Sequence, residues 1–189
     1  QFGKAVPGIF TDEPSLADTH TSFAPNRGWI PWTDGFGEYF RERRGYDFLD
    51  VLPWQYFNGK RSAKTRHDYW HTIAERFSEK YSETIHDWCR ANGIAYTGHF
   101  LQEDKIGLCT RVNGAIMPHY ALQDIPGIDI LTESTKEYLT VKQCASVAHQ
   151  FGKERVLTET YGCTGWDFTL EGQKWVGDWQ FVHGVNIRC

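Results

Sequence analysis

Hydrophobic positions along the chain form helical stripes separated by short, nearly continuous apolar runs. In 62–92, Tyr69, Trp70, Ile73, Phe77, Tyr81, Ile85 and Trp88 recur at three-and-four spacing, the stripe of an amphipathic helix. The stripe stops at Gly93, suited to the left-handed residue after a helix, and IAYTGHF (94–100) follows as a strand. The design repeats twice. One helix is expected from Ser134, with Glu137 completing a capping box, to Gly152, followed by RVLTE (155–159). Another starts near Thr169, carries Trp175, Val176, Trp179 and Val182, stops at Gly184 and leads into VNIRC (185–189). With GIFTDEP (8–14) and GIDILTES (127–134), five strand candidates appear.

These strands are nearly continuous apolar runs, as in a parallel sheet covered on both faces. Strand–helix repetition gives an α/β fold, either doubly wound or a (β/α)8 barrel. No GxGxxG or GxxxxGKS/T motif supplies a nucleotide reason for the doubly wound form. Polar residues gather at the C-terminal strand ends, in TDE, TGH, TES and TET, where both architectures hold ligands. Five strands cannot close a barrel that normally takes about 250 residues. The expectation is therefore a TIM barrel truncated to about its last five strands, a single partial domain over 1–189. Residues 15–60 form a long connection over the strand ends, with PNRGWIPWTDGFG, a short helix at 38–44 ended by Gly45, and VLPWQYF. It would wall the site or form a packed surface subdomain.

Composition narrows the classes. The chain has 189 residues, 40% hydrophobic and 23% charged, enough for one globular domain. A net charge of −4 without a basic stripe argues against a nucleic-acid partner. No apolar run approaches the ~20 residues of a membrane span. Cys89, Cys109, Cys144, Cys163 and Cys189 include no CxxC pair and read as scattered free thiols rather than a disulfide framework or zinc site. QFGKAVP lacks both an initiating methionine and the features of a secretory signal, so a mature product or a piece of a longer chain is expected, and the compartment stays open.

The chemistry sits in carboxylates. GIFTDEP and RVLTETYG both end an apolar run with threonine and glutamate, placing Glu13 and Glu159 at the mouth of one pocket. Glycoside hydrolysis needs such a pair, an acid for the leaving oxygen and a second carboxylate across the ring. Asp12, next to Glu13, should point the opposite way on an extended strand and serve as a structural acceptor or hydroxyl-binding group. His99 and Glu103 share strand parity and would both face the mouth; His99 would donate to a sugar hydroxyl or sit in the core bonded to backbone. Glu133 would bind substrate or cap the next helix. Tyr161 and Trp166 lie on the glycine-containing loop after Glu159, where Trp166 would stack on a sugar or pack under the loop. Trp32 is a further sugar platform among 8 Trp, 9 Tyr and 12 Phe that mostly build core. His67 and His71 imitate a zinc-protease HExxH helix with Asp68 in the glutamate's place, without an evident third ligand. No GxSxG elbow supports a serine esterase.

GIFTDEP, IPWT, RRGYDFLDVLP, DYW, DWCRANGIAYTGHFLQE, MPHY, PGIDIL, KQCASVAHQFGKERVLTETYGCTGW and GVNI occur in this order over nearly the whole chain. Together they resemble the barrel of bacterial α-L-rhamnosidases, glycoside hydrolase family 106 and its relatives. The resemblance implies a multi-domain hydrolase acting on a glycoside or oligosaccharide, in which Glu13 matches the general acid and Glu159 the base or nucleophile. That family inverts, which would make Glu159 a base acting through water. No cofactor is expected; calcium near the site is allowed by the resemblance, but the chain has no dedicated calcium loop. Two rivals remain: a carbohydrate-binding barrel without turnover, and a metal-dependent hydrolase using His67 and His71 or His99 and Glu103.

Overall fold

The protein is described here as a computed structural model, over residues 1–16 and 30–189. Five parallel strands form one sheet: β1 (Gly8–Thr11), β2 (Ala95–Gly98), β3 (Ile125–Ile130), β4 (Leu157–Thr160) and β5 (Ile187–Arg188). They lie side by side in chain order. Every crossover therefore steps in the same direction, and right-handed crossovers place the helices that cover the sheet on one face.

The elements between the strands follow their local sequence. Helix α1 (Phe36–Arg44) ends at Gly45, whose φ of 79° closes it in the left-handed region. The short α2 (Pro53–Tyr56) starts with proline at its first position. Helix α3 (Ser62–Phe77) continues through a π-helical turn, Ser78–Glu83, into α4 (Thr84–Ala91), so the long stripe at 62–92 forms one rod with a bulge. Helices α5 (Ile106–Asn113) and α6 (Met117–Leu122) connect β2 to β3. Helix α7 (Tyr138–Gln150) precedes β4, and α8 (Leu170–Val182), capped by Thr169 accepting the Gly172 N–H at 3.1 Å, precedes β5. The capping box expected at Ser134 and Glu137 does not form. Helix α7 starts at Tyr138, and the Ser134 hydroxyl instead accepts the Lys136 N–H at 3.3 Å.

The main core lies between the sheet and the helices, where Ile128 and Ile130 of β3 meet Tyr120, Val141, Cys144, Val147 and Ala148. Buried His119 pins it: Nδ1 lies 2.7 Å from the Ser82 hydroxyl and Nε2 3.2 Å from the Asn113 carbonyl, and burial pushes its pKa down to about 4. A second cluster, Phe36, Phe40, Phe48, Val51, Tyr69 and Ile73, joins the described part of the 15–60 connection to α3. The PNRGW stretch lies outside the described residues. His67 and His71 face solvent on α3, beside Asp68 and Glu75. No helix among the described residues is long and apolar enough to cross a membrane.

Register assigns the other sheet face. Phe10 pairs with Thr97, and Asp129 with Glu159, so these side chains point away from the helices, and Phe10 is 40% exposed there. Gly98 closes β2 with φ 136°; a Cβ there would collide with the Thr11 carbonyl oxygen. Buried Gln123 ties β2 to β3, donating to the Gly98 carbonyl at 2.9 Å and accepting the Gly127 N–H at 3.2 Å. Gly98→Ala is expected to cost about 2 kcal/mol or more in urea unfolding, because backbone strain and collision act together. A change within 0.5 kcal/mol would mean that the β1–β2 contact yields freely.

Candidate active site

Strand β1 ends at Thr11, and Glu13 takes φ 44°, in the left-handed region that side chains beyond Cβ rarely occupy. The turn cancels the alternation expected of an extended strand. Asp12 does not point away from its neighbour: its Oδ1 lies 3.3 Å from His99 Nε2. Glu13 also reaches this imidazole, in a set with Asp129 whose candidate ligand atoms all lie within 4.8 Å of one another.

His99 follows Gly98 at the end of β2 and is 1% exposed, with its ring edge-on to Phe10 at 5.5 Å. Its Nε2 lies 2.9 Å from Glu159 Oε2. The shorter contact makes the Nε2–H a donor to Glu159, with Asp12 the longer, secondary partner. Nδ1 is buried with no partner among the described residues. His99 is thus buried, as a core imidazole would be, yet bonded to carboxylates rather than to backbone.

Asp129 sits beside Glu159 in register and belongs to this cluster, whereas Glu133, the acid expected from this strand end, is not part of it. The signal was present as a lone acid inside the apolar run GIDIL, at the parity opposite Ile128 and Ile130. Its Oδ1 is buried and unpartnered. Burial pushes Asp129 up to about 6; His99 opposes this, while Glu159, Glu13 and Asp12 add to it. Glu13 is also raised, first by burial and then by Asp12 and Glu159, again against His99.

The remaining expected residues stand elsewhere. Glu103 does not join His99 at the mouth, because β2 ends at Gly98 and parity lapses in the turn at Gln102, φ 58°. It is 4% exposed and accepts from the Phe100 N–H at 3.0 Å, the Tyr120 hydroxyl at 2.7 Å and the Asp129 N–H at 3.1 Å. Burial nevertheless pushes it up to about 8, and it acts as a strut beneath Asp129. The Tyr161 hydroxyl turns towards α8, donating to the Gln173 carbonyl at 2.8 Å and accepting from Arg188 at 2.6 Å. Trp166 is fully exposed and does not pack under its loop. Trp32 lies over Phe36 and Phe48, with centroids 5.0 and 5.9 Å away, and lines a separate cleft of about 570 Å3. Glu133 is exposed in the loop after β3.

Asp12 with Glu159, or Glu13 with Asp129, could hold a cation that shares His99 as third ligand. Calcium takes six to eight oxygens, so an imidazole at the centre of the set suits it only in part.

The α-L-rhamnosidase family model matches residues 21–189, and the chain belongs to that family. Among solved structures it is similar to the rhamnosidase from Novosphingobium sp. PP1Y, at 27% identity and a TM-score of 0.66 over 83% of this chain. The match spans 16% of that protein's length. A search of curated proteins gives no match.

The raised Asp129 has a consequence for stability. A carboxyl group with a folded pKa above its unfolded value holds its proton more tightly when folded, so its contribution falls as pH rises from about 4 to about 6. Asp129→Asn removes that loss. Urea unfolding is expected to show the variant more stable by about 1 kcal/mol at pH 8, after discounting for solvent screening, with the gap closing near pH 4. A gap that widens towards acid would contradict the raised value.

Proposed function

We propose that this chain is the catalytic part of a glycoside hydrolase that cleaves α-L-rhamnosides with a pair of glutamates. The observation that carries the reading is the meeting of Glu13, Asp129 and Glu159 around His99 at the strand ends, in a chain of the α-L-rhamnosidase family. The parallel strands in sequential order are those expected of consecutive units of a (β/α)8 barrel, with residues 15–60 as a long connection over the mouth. In this reading 1–189 is one partial barrel domain, completed by further strands and accompanied by further domains.

Glu13 is the general acid. Burial, with Asp12 and Glu159 adding to it against His99, raises its pKa, the direction a general acid needs. Glu159 is its partner, oriented by the His99 N–H. As a family that inverts, this one would use Glu159 to draw a proton from water, which attacks the anomeric carbon from the face opposite the leaving group. Asp12 accepts from the same imidazole or from a substrate hydroxyl. Trp32, Glu133, Tyr161 and Trp166 are left to the outer reaches of the substrate, and Glu103 acts only through Asp129.

The test is hydrolysis of 4-nitrophenyl α-L-rhamnoside by the protein at its full natural length, beside the other common aryl glycosides. Glu159→Gln is expected to lower kcat by about 10³-fold with unchanged circular dichroism. Glu13→Gln should harm substrates with alkyl leaving groups far more than nitrophenyl ones, since nitrophenolate departs without a proton. Undiminished turnover in Glu159→Gln would remove that residue from the mechanism. No turnover of any glycoside by the unmodified protein would favour a binding barrel.

A further inference from the structure

A groove of about 450 Å3 lies between the loops that follow β3 and β4. One wall is residues 132–136, the other residues 163–165, and Trp175 of α8 stands beside them. Its size falls within the roughly 300–1,000 Å3 of small-molecule sites.

The two walls are fastened together. The Thr132 N–H donates across to the Gly162 carbonyl at 2.7 Å, and within the second loop the Thr164 hydroxyl donates to the Tyr161 carbonyl at 2.7 Å. Thr132, Tyr161 and Cys163 have φ of 62°, 68° and 61°. Left-handed backbone at a β-branched threonine is costly and persists only where its surroundings hold it. The groove is therefore held in shape before any ligand arrives.

Its position ties it to the carboxylates. Glu133 is four residues beyond Asp129, and Cys163 four beyond Glu159. Four residues span at most about 14 Å, so the groove opens within two or three sugar-ring widths of the cluster.

The lining selects a class of ligand. Ser134, Thr135 and Thr164 present hydroxyls, Glu133 accepts and Lys136 donates. The two charges are opposite, which disfavours a phosphate or other strong anion. Trp175 is 60% exposed and offers a flat apolar face at the edge of this polar surface. Hydroxyls, one donor, one acceptor and an aromatic plane suit a neutral sugar ring, whose C–H face stacks while its hydroxyls pair at the sides.

We propose that this groove binds a second sugar unit of the substrate, next to the one that is cleaved, with Trp175 as its stacking platform. The inference rests on the glycosidase reading and specifies the substrate as a rhamnosylated oligosaccharide rather than a simple rhamnoside. Calorimetry on the full-length protein, held inactive as Glu159→Gln, tests it. The probes are a panel of disaccharides with a terminal α-L-rhamnosyl unit, against methyl α-L-rhamnoside. At least one disaccharide should bind tighter than the methyl glycoside, and adding Trp175→Ala should remove about tenfold of that affinity. The methyl glycoside should change less than twofold, and Trp175→Phe should restore most of the loss. No disaccharide bound more tightly, or an equal loss for both kinds of ligand, would overturn the groove assignment. Disaccharide binding that depends on Trp175 in a protein that hydrolyses no glycoside would keep the groove and sink the catalytic reading. Turnover that depends on Glu159 with binding indifferent to Trp175 would do the reverse.

Discussion

Four carboxylates around one buried imidazole are the constraint on which the strand ends depend. Asp12, Glu13, Asp129 and Glu159 would repel one another if all were ionised. His99 counters this from the centre, with Nε2 directed at Glu159 and Asp12. The relief is unequal. Glu13 and Asp129 are pushed up by burial and by their neighbours, while Glu159 receives the direct hydrogen bond. Inequality of this kind is the usual basis for dividing labour among chemically similar groups.

The sheet supplies the rigidity this arrangement needs. Each of the first four strands is followed by a non-glycine residue in the left-handed region: Glu13, Gln102, Thr132 and then Tyr161 and Cys163. Strain recurring at the same end of successive strands is a mark of loops shaped for ligands rather than for shortest connection. Beneath them, Glu103 clamps the Asp129 N–H and Gln123 joins β2 to β3, so two buried side chains hold the level from which His99 and Asp129 project. The apolar core of Ile128, Ile130, Val141 and Cys144 makes slippage of that level costly, since a one-residue shift of β3 would turn Asp129 into the core.

Much of this was legible in the sequence because it rests on local periodicity. Five apolar strand runs, the 62–92 rod and the glycine stops at Gly45 and Gly93 are all set by residues close together in sequence. Helices α5 and α6 were not legible: each is eight residues or fewer, and Gly107, Gly114 and Pro118 interrupt any stripe. The site was legible only where strands stay extended. Parity fails at Asp12 and Glu13 because the backbone turns left-handed, and at Glu103 because β2 has already ended. Asp129 escaped because its role depends on the register with Glu159, a long-range pairing that no local pattern encodes. The same limit hid Trp175, which reads as one more residue of a helical stripe until the loops beside it are in place.

Crowding also links the two halves of the proposed reaction. While Glu159 is charged, its repulsion helps to hold the proton on Glu13. As Glu159 draws a proton from the attacking water, that repulsion falls, and Glu13 gives up its own proton to the leaving oxygen more readily. The cluster's net charge is then the same before and after the step, so His99 and Asp12 need not move to compensate. A site in which acid and base were isolated from each other would lose this coupling, and would have to bury and release charge in two separate events. Under the proposed mechanism, the close packing of like charges is costly for the resting fold and favourable for concerted proton movement.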